Sequence, residues 1–215
     1  MKIYFLIIPA IIGILFGTIL VSIQEESPTD SSLLNKENLQ KGSTILGNEN
    51  AKFSIVEFGD YQCTACFRFH ENTLSKIKDE LIKTNKVNFA FRDYPLNGQD
   101  SILAAEATYC SQEQEMYWEF HEKIYQNWNG ENTGWVNQQS LTQFANEIGL
   151  NMEEFDECME NHRYFQHVMN NERFANEIGI NATPTFLIFN DKEIIRIVGS
   201  HPIEKFQTAI NQLND

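Results

Sequence analysis

The chain has 215 residues, with 16 lysines and arginines against 30 aspartates and glutamates, a formal net charge of −14 and a pI near 4.7. That balance excludes a basic nucleic-acid-binding surface, for which positive charge must cluster, and is ordinary for a soluble domain that resists association. Four cysteines are present and only one pair has metal-ligand spacing, so the second pair that a zinc ribbon or finger needs is missing.

Ile3 to Ile23 is uncharged and mostly apolar. At ~1.5 Å rise per residue such a stretch crosses a ~30 Å hydrocarbon core. A cleaved signal peptide is the competing reading. The run is long for that, and no clear Ala-x-Ala site follows it, so residues 1–23 are read as an uncleaved membrane anchor. Lys2 precedes the span while Glu25 and Glu26 follow it, which places the bulk of the chain outside the cytoplasm, where disulfides persist. Residues 24–43, with Ser27-Pro28-Thr29-Asp30-Ser31-Ser32, read as a polar linker.

Beyond it about 170 residues suit one domain, or one domain carrying an insertion. Phe53 to Phe58 is nearly continuous in apolarity, as a strand buried on both faces would be. Thr64 to about Lys83 has a helical period through Phe67, Leu74, Ile77 and Leu81, and Lys86 to Phe91 reads as a second strand ended by Asp93-Tyr94-Pro95. Strand, helix, strand is a βαβ unit with parallel strands. This is the first part of an α/β domain, residues 44–96.

Residues 97–177 then read as a helical insertion, broken by a loop at 129–134. Within it Phe144-Ala145-Asn146-Glu147-Ile148-Gly149-Leu150-Asn151 nearly repeats as Phe174-Ala175-Asn176-Glu177-Ile178-Gly179-Ile180-Asn181. Two copies are too few for a solenoid, and both read as helix ends with a left-handed glycine followed by an apolar residue that packs back. The last part, residues 178–215, holds Thr185 to Phe189, the turn Asn190-Asp191, and Glu193 to Val198, a β-hairpin signal. A final helix follows with Pro202 at its first position, capped by Ser200 or His201.

Cys63-Thr64-Ala65-Cys66 falls where the first strand gives way to the first helix. Two thiols so spaced can close into a disulfide and reopen, and a helix N-terminus stabilises a thiolate. The same spacing supplies half of many zinc sites, so the motif needs context. His70, His121, His162, His167 and His201 share no metal-ligand spacing and read as surface or packing residues.

Several segments in this order carry a resemblance: Val56 to Cys66, Phe91-Arg92-Asp93-Tyr94-Pro95-Leu96, Ala104 to Cys110 followed by Met116 to His121, and Gly179-Ile180-Asn181-Ala182-Thr183-Pro184-Thr185-Phe186. Over about residues 40–213 the chain resembles the thioredoxin superfamily and, within it, the DsbA-like thiol–disulfide oxidoreductases. The resemblance implies a thioredoxin-like fold with an inserted helical domain. It implies that Cys63 is an exposed nucleophile and Cys66 a more buried resolving thiol, that Thr183-Pro184 is the cis-proline loop facing them, and that Glu57 is a buried acid able to shuttle a proton. A strand-edge Glu57 facing water is the competing reading. It further implies a structural disulfide between Cys110 and Cys158, which would contribute roughly 2–4 kcal/mol; a second redox pair and two free thiols are the alternatives.

The departure lies inside the motif. Strong oxidases commonly carry Pro-His between the cysteines, and Thr64-Ala65 lacks the histidine that helps hold the thiolate, although Thr64 can donate a hydrogen bond. The resulting expectation is a membrane-anchored oxidoreductase that donates disulfides to exported proteins, without metal or cofactor. Its partners would be reduced or unfolded exported proteins and a membrane protein of DsbB-like or VKOR-like type that reoxidises it. The alternatives are a reductase or isomerase of the same fold, and a non-catalytic thioredoxin-like binding module.

Overall fold

The computed structural model describes residues 33–214. The anchor expected at residues 1–23 and the first part of the linker lie outside them. Among the described residues no helix is long and apolar enough to cross a membrane.

Residues 36–40, read from the sequence as the end of the linker, form a short helix, α1 (Lys36–Gln40), capped by the Asn35 side chain on the amide of Asn38. Leu39 at its centre is fully buried. Arg92 explains why this polar stretch joins the domain. Its guanidinium donates to the backbone carbonyls of Asn38 (2.7 Å) and Leu39 (3.3 Å), groups that a short helix leaves without internal partners.

Four strands form one sheet in the order β2-β1-β3-β4. β1 (Phe53–Gly59) pairs in parallel with β2 (Val87–Asp93) and antiparallel with β3 (Thr185–Phe189), which pairs antiparallel with β4 (Ile194–Val198). β1 and β2 are buried along their whole length, as the apolar runs required. Alternation divides the side chains between two cores. Phe53, Ile55, Phe89, Phe91, Phe186 and Ile188 face one way, and Val56, Phe58, Ala90, Leu187 and Phe189 pack with Leu39, Ala175 and Ile178 on the other.

Between β1 and β2 one continuous helical run changes its winding: α2 (Thr64–Phe69), a π-helical turn (His70–Leu74), α3 (Ser75–Ile77) and a second π-helical stretch (Lys78–Ile82). Its core ring is Phe69, against Phe186 and Phe206 at 4.4 and 5.5 Å, rather than Phe67. Phe69 lies one turn beyond Cys66, on the face turned to the sheet.

Five helices occupy the span between β2 and β3: α4 (Gln99–Gln112), α5 (Tyr117–Gln126), α6 (Gln138–Glu147), α7 (Met152–Glu160) and α8 (Phe165–Glu177). The two near-identical octapeptides end α6 and α8 as their chemistry requires. Gly149 and Gly179 take φ of 85° and 71°, and the amides of Leu150 and Ile180 reach back to the carbonyls of Ala145 (3.1 Å) and Ala175 (2.8 Å). The last helix, α9 (Ile203–Gln212), starts one residue later than the sequence suggested. Pro202 is its N-cap, in extended conformation, and neither Ser200 nor His201 caps it.

Candidate active site

The approach to the dithiol is fixed by Asp60, which ends β1 in a side-chain-closed turn. Its Oδ1 accepts from the amide of Gln62 (2.8 Å) and the hydroxyl of Ser101 (2.6 Å), and Oδ2 accepts from the amide of Asn97 (2.7 Å). Tyr61 is buried with its hydroxyl 3.0 Å from His121 Nδ1. The chain is thereby tied to the helical layer on both sides of the turn, and Cys63 emerges as the N-cap residue of α2.

Cys63 and Cys66 are both free thiols. Cys63 is less open than expected of an exposed nucleophile, at 8 % exposure, while Cys66 has none. The cover comes from the loop before β3: the Thr183–Pro184 peptide is cis, and the Thr183 carbonyl accepts from Cys63 Sγ at 3.5 Å. What distinguishes the two sulfurs is therefore the difference in exposure and, more strongly, their surroundings.

Cys63 is lowered from an ordinary thiol value of 9.0 to about 6. The Cys66 thiol donating to it is the largest cause; burial opposes it, and hydrogen bonds from the Thr183 side chain and from the amides of Cys66 and Ala65 add to the lowering. Those amides are unpaired because the helix has just begun. Burial pushes Cys66 the other way, well above its ordinary value, helped by its hydrogen bond to Cys63 and by the nearby Glu57 charge. One thiol is held ready as thiolate and the other is kept protonated.

Glu57 sits in β1 between β2 and β3, paired with Phe91 and Phe186, and is 2 % exposed. This excludes the strand-edge reading. Burial raises its carboxyl well above the usual range, with the Cys63 charge adding to the effect, which favours the protonated acid. Gly59 makes room beside it. A Cβ there would run into the Phe91 ring and approach Glu57 Oε1 to 3.2 Å.

The structure thus brings together Cys63, Cys66, Thr183, Pro184 and Glu57, from β1, the start of α2 and the loop before β3. Cys110 and Cys158 lie elsewhere, joining α4 to α7 through a disulfide with Cα atoms 5.8 Å apart. Of the histidines, His121 and His70 are buried, and burial lowers both; His70 falls to about 4. Both are therefore neutral packing groups at physiological pH. Among the described residues no group of three or more His, Cys, Asp or Glu is placed to hold a metal.

Three contacts at the dithiol were not legible in the sequence. Trp128 stacks on Phe67 with centroids 4.4 Å apart and planes at 8°, and its indole N–H donates to the Gln62 carbonyl at 3.2 Å. Glu131 Oε2 accepts from both the amide and the hydroxyl of Thr64, at 3.3 and 3.1 Å. Thr64 thus spends its hydrogen bonds on Glu131 instead of on the Cys63 sulfur. Asp60 alone carried a local signal, an aspartate two residues before a turn amide at a strand end; Trp128 and Glu131 arrive from a loop more than sixty residues away.

Fold and site together define a class, proteins that exchange disulfides through a dithiol at the start of a helix on a thioredoxin-like sheet. Comparison with known proteins narrows it. The family model described as Thioredoxin matches residues 39–212. The chain is 30 % identical over 157 residues to disulfide bond formation protein D of Bacillus subtilis, covering 72 % of this chain and 70 % of that one. Among solved structures it is similar to alpha-DsbA1 of Wolbachia pipientis, with TM-score 0.73, 27 % identity and coverage of 86 % and 96 %. It is also similar to oxidised BdbD of Bacillus subtilis, with TM-score 0.71, 26 % identity and coverage of 80 % and 93 %. The chain belongs to the thioredoxin family and is a protein thiol–disulfide oxidoreductase of the DsbA-like kind.

Proposed function

We propose that this oxidoreductase donates disulfides to reduced proteins outside the cytoplasm, anchored to the membrane by residues 1–23. The observation that carries the reading is the opposite tuning of two thiols three residues apart, Cys63 lowered to about 6 and Cys66 raised.

In the oxidised enzyme a client thiolate attacks Cys63 Sγ, because Cys66 has no exposed surface. The Cys63–Cys66 bond breaks and Cys66 leaves. A leaving sulfur so strongly disfavoured as thiolate must be protonated as it forms, and Glu57, a buried carboxyl that holds its proton, supplies it. The second client thiolate then attacks the client sulfur of the mixed disulfide, and Cys63 departs as a stabilised thiolate. Low leaving-group pKa speeds that step and favours the reduced enzyme. Two electrons pass from client to enzyme. A membrane protein of DsbB-like or VKOR-like type would take them from the reduced enzyme and pass them to a quinone, with Glu57 taking back the Cys66 proton. The Thr183 backbone, facing Cys63, supports a role in aligning the client chain. The Cys110–Cys158 bond acts structurally.

One observation favours the reversed flow of a reductase or isomerase: the residues between the cysteines are Thr64-Ala65, and the Thr64 donors serve Glu131. The reduction potential of the Cys63–Cys66 pair against glutathione decides. A value near −120 mV, the DsbA end of the range, supports donation, and one near about −270 mV, that of thioredoxin, points to a reductant. A wild-type chain without any exchange would instead be a binding module.

A further inference from the structure

The loop between α5 and α6 reaches back over the start of α2. It is closed on itself by the Trp135 indole donating to the Gly130 carbonyl at 2.8 Å and by the Thr133 hydroxyl donating to the Asn129 carbonyl at 2.7 Å. It is fastened to the dithiol segment by Trp128, through the stack on Phe67 and the hydrogen bond to Gln62. Between these two anchors Glu131 projects onto Thr64. Among the described residues no lysine, arginine or histidine forms an ion pair with it.

The charge stands at an unusual place. Thr64 is the first residue of α2 and the immediate neighbour of Cys63, one residue before Ala65 and Cys66, whose amides bond the Cys63 sulfur, so a charge bonded to Thr64 sits at the helix start that stabilises the thiolate. The hydroxyl of Thr64 is the one side-chain donor between the two cysteines, and it too points at Glu131. A carboxylate at a helix start stabilises the helix. At this start it also competes with the thiolate for the same field, and like charges at neighbouring residues disfavour each other.

We infer that Glu131 is a positioning residue for the redox pair: by occupying both donors of Thr64 and placing a negative charge beside Cys63, it makes the disulfide less oxidising than the same dithiol and helix would be without it. The inference rests on the reading of Cys63 and Cys66 as the redox pair. It gives the Thr64-Ala65 motif a poise set partly from outside, by a loop of the helical insertion. Reciprocity follows. Glu131 is held more firmly against Thr64 when Cys63 is in a disulfide than when it is a thiolate, so the loop grips better in the oxidised protein.

The test uses the full chain and its Glu131→Gln and Glu131→Ala variants. Gln keeps an acceptor for Thr64 and removes the charge; Ala removes both. The Cys63 thiolate is titrated by its ultraviolet absorbance, and the thiol–disulfide equilibrium is measured in glutathione buffers. A unit charge hydrogen-bonded to the residue beside Cys63, at near-aqueous dielectric, predicts that Glu131→Gln lowers the Cys63 pKa by about half a unit. The exchange equilibrium should move about threefold toward the dithiol, about 15 mV by the two-electron relation. Glu131→Ala should shift it at least as far, and high salt should shrink both shifts because the pair is exposed. A Glu131→Gln variant with wild-type thiolate titration and wild-type equilibrium would reduce Glu131 to a loop anchor and overturn the inference, whatever its melting temperature. That result with active wild type leaves the oxidoreductase reading standing; a wild type that does not equilibrate with glutathione would end both.

Discussion

Two pairs of cysteines in one chain have been given opposite environments. Cys63 and Cys66 are close in sequence, sit at the first turn of a helix and remain free, with one sulfur reachable beside unpaired amides. Cys110 and Cys158 are 48 residues apart, lie inside helices α4 and α7 at 1 % and 0 % exposure, and are bonded. A disulfide is attacked by a thiolate and releases a thiolate, so exchange needs access and a place for the negative charge. The first pair has both. The second is closed to solvent and cross-links a long loop.

Removing the reachable sulfur breaks the comparison most sharply. Cys63→Ser should leave only background exchange in a client-oxidation assay, whereas Cys66→Ser should accumulate mixed disulfides visible on a non-reducing gel. Equal behaviour of the two variants would contradict the asymmetry. Next comes the proton. Glu57→Gln should slow opening of the Cys63–Cys66 disulfide by about tenfold or more, as expected when a positioned acid is lost. Stopped-flow kinetics at unchanged far-ultraviolet circular dichroism would check it, and unchanged kinetics would retire Glu57 as the proton donor.

The paired substitution Cys110→Ala and Cys158→Ala should lower unfolding free energy by about 2–4 kcal/mol in urea while exchange stays near wild type. Loss of exchange in a folded double variant would make that bridge a second redox pair.

The remaining effect is one of pH. Cys63 titrates at about 6 in the folded reduced protein against an ordinary 9.0. Its contribution to reduced-state stability is fully present above the ordinary thiol value and is lost as pH falls through about 6. The oxidised protein has no such group. The stability of reduced over oxidised protein should therefore grow between about pH 6 and about pH 9, measured by unfolding both forms. A flat difference would mean that Cys63 is not held as thiolate.

Much of this architecture was legible because its signals are local. The apolar runs of β1 and β2, the glycine ends of α6 and α8 and the hairpin of β3 and β4 each follow from a few neighbouring residues. Where the reading missed, the deciding partner was distant. Residues 36–40 look like linker until Arg92 binds their carbonyls. Phe69 rather than Phe67 is the core ring, because Trp128 claims Phe67.

The sequence by itself determined the dithiol and its place between a strand and a helix, because spacing and periodicity are properties of neighbours along the chain, and its ordered segments carried the resemblance to the family. Only the tertiary structure decided how the two thiols differ, that Glu57 is buried beside them, and that Glu131 answers Thr64. Burial and electrostatic fields are sums over groups brought together from β1, α2, the loop before β3 and the helical insertion, and no local stretch contains them.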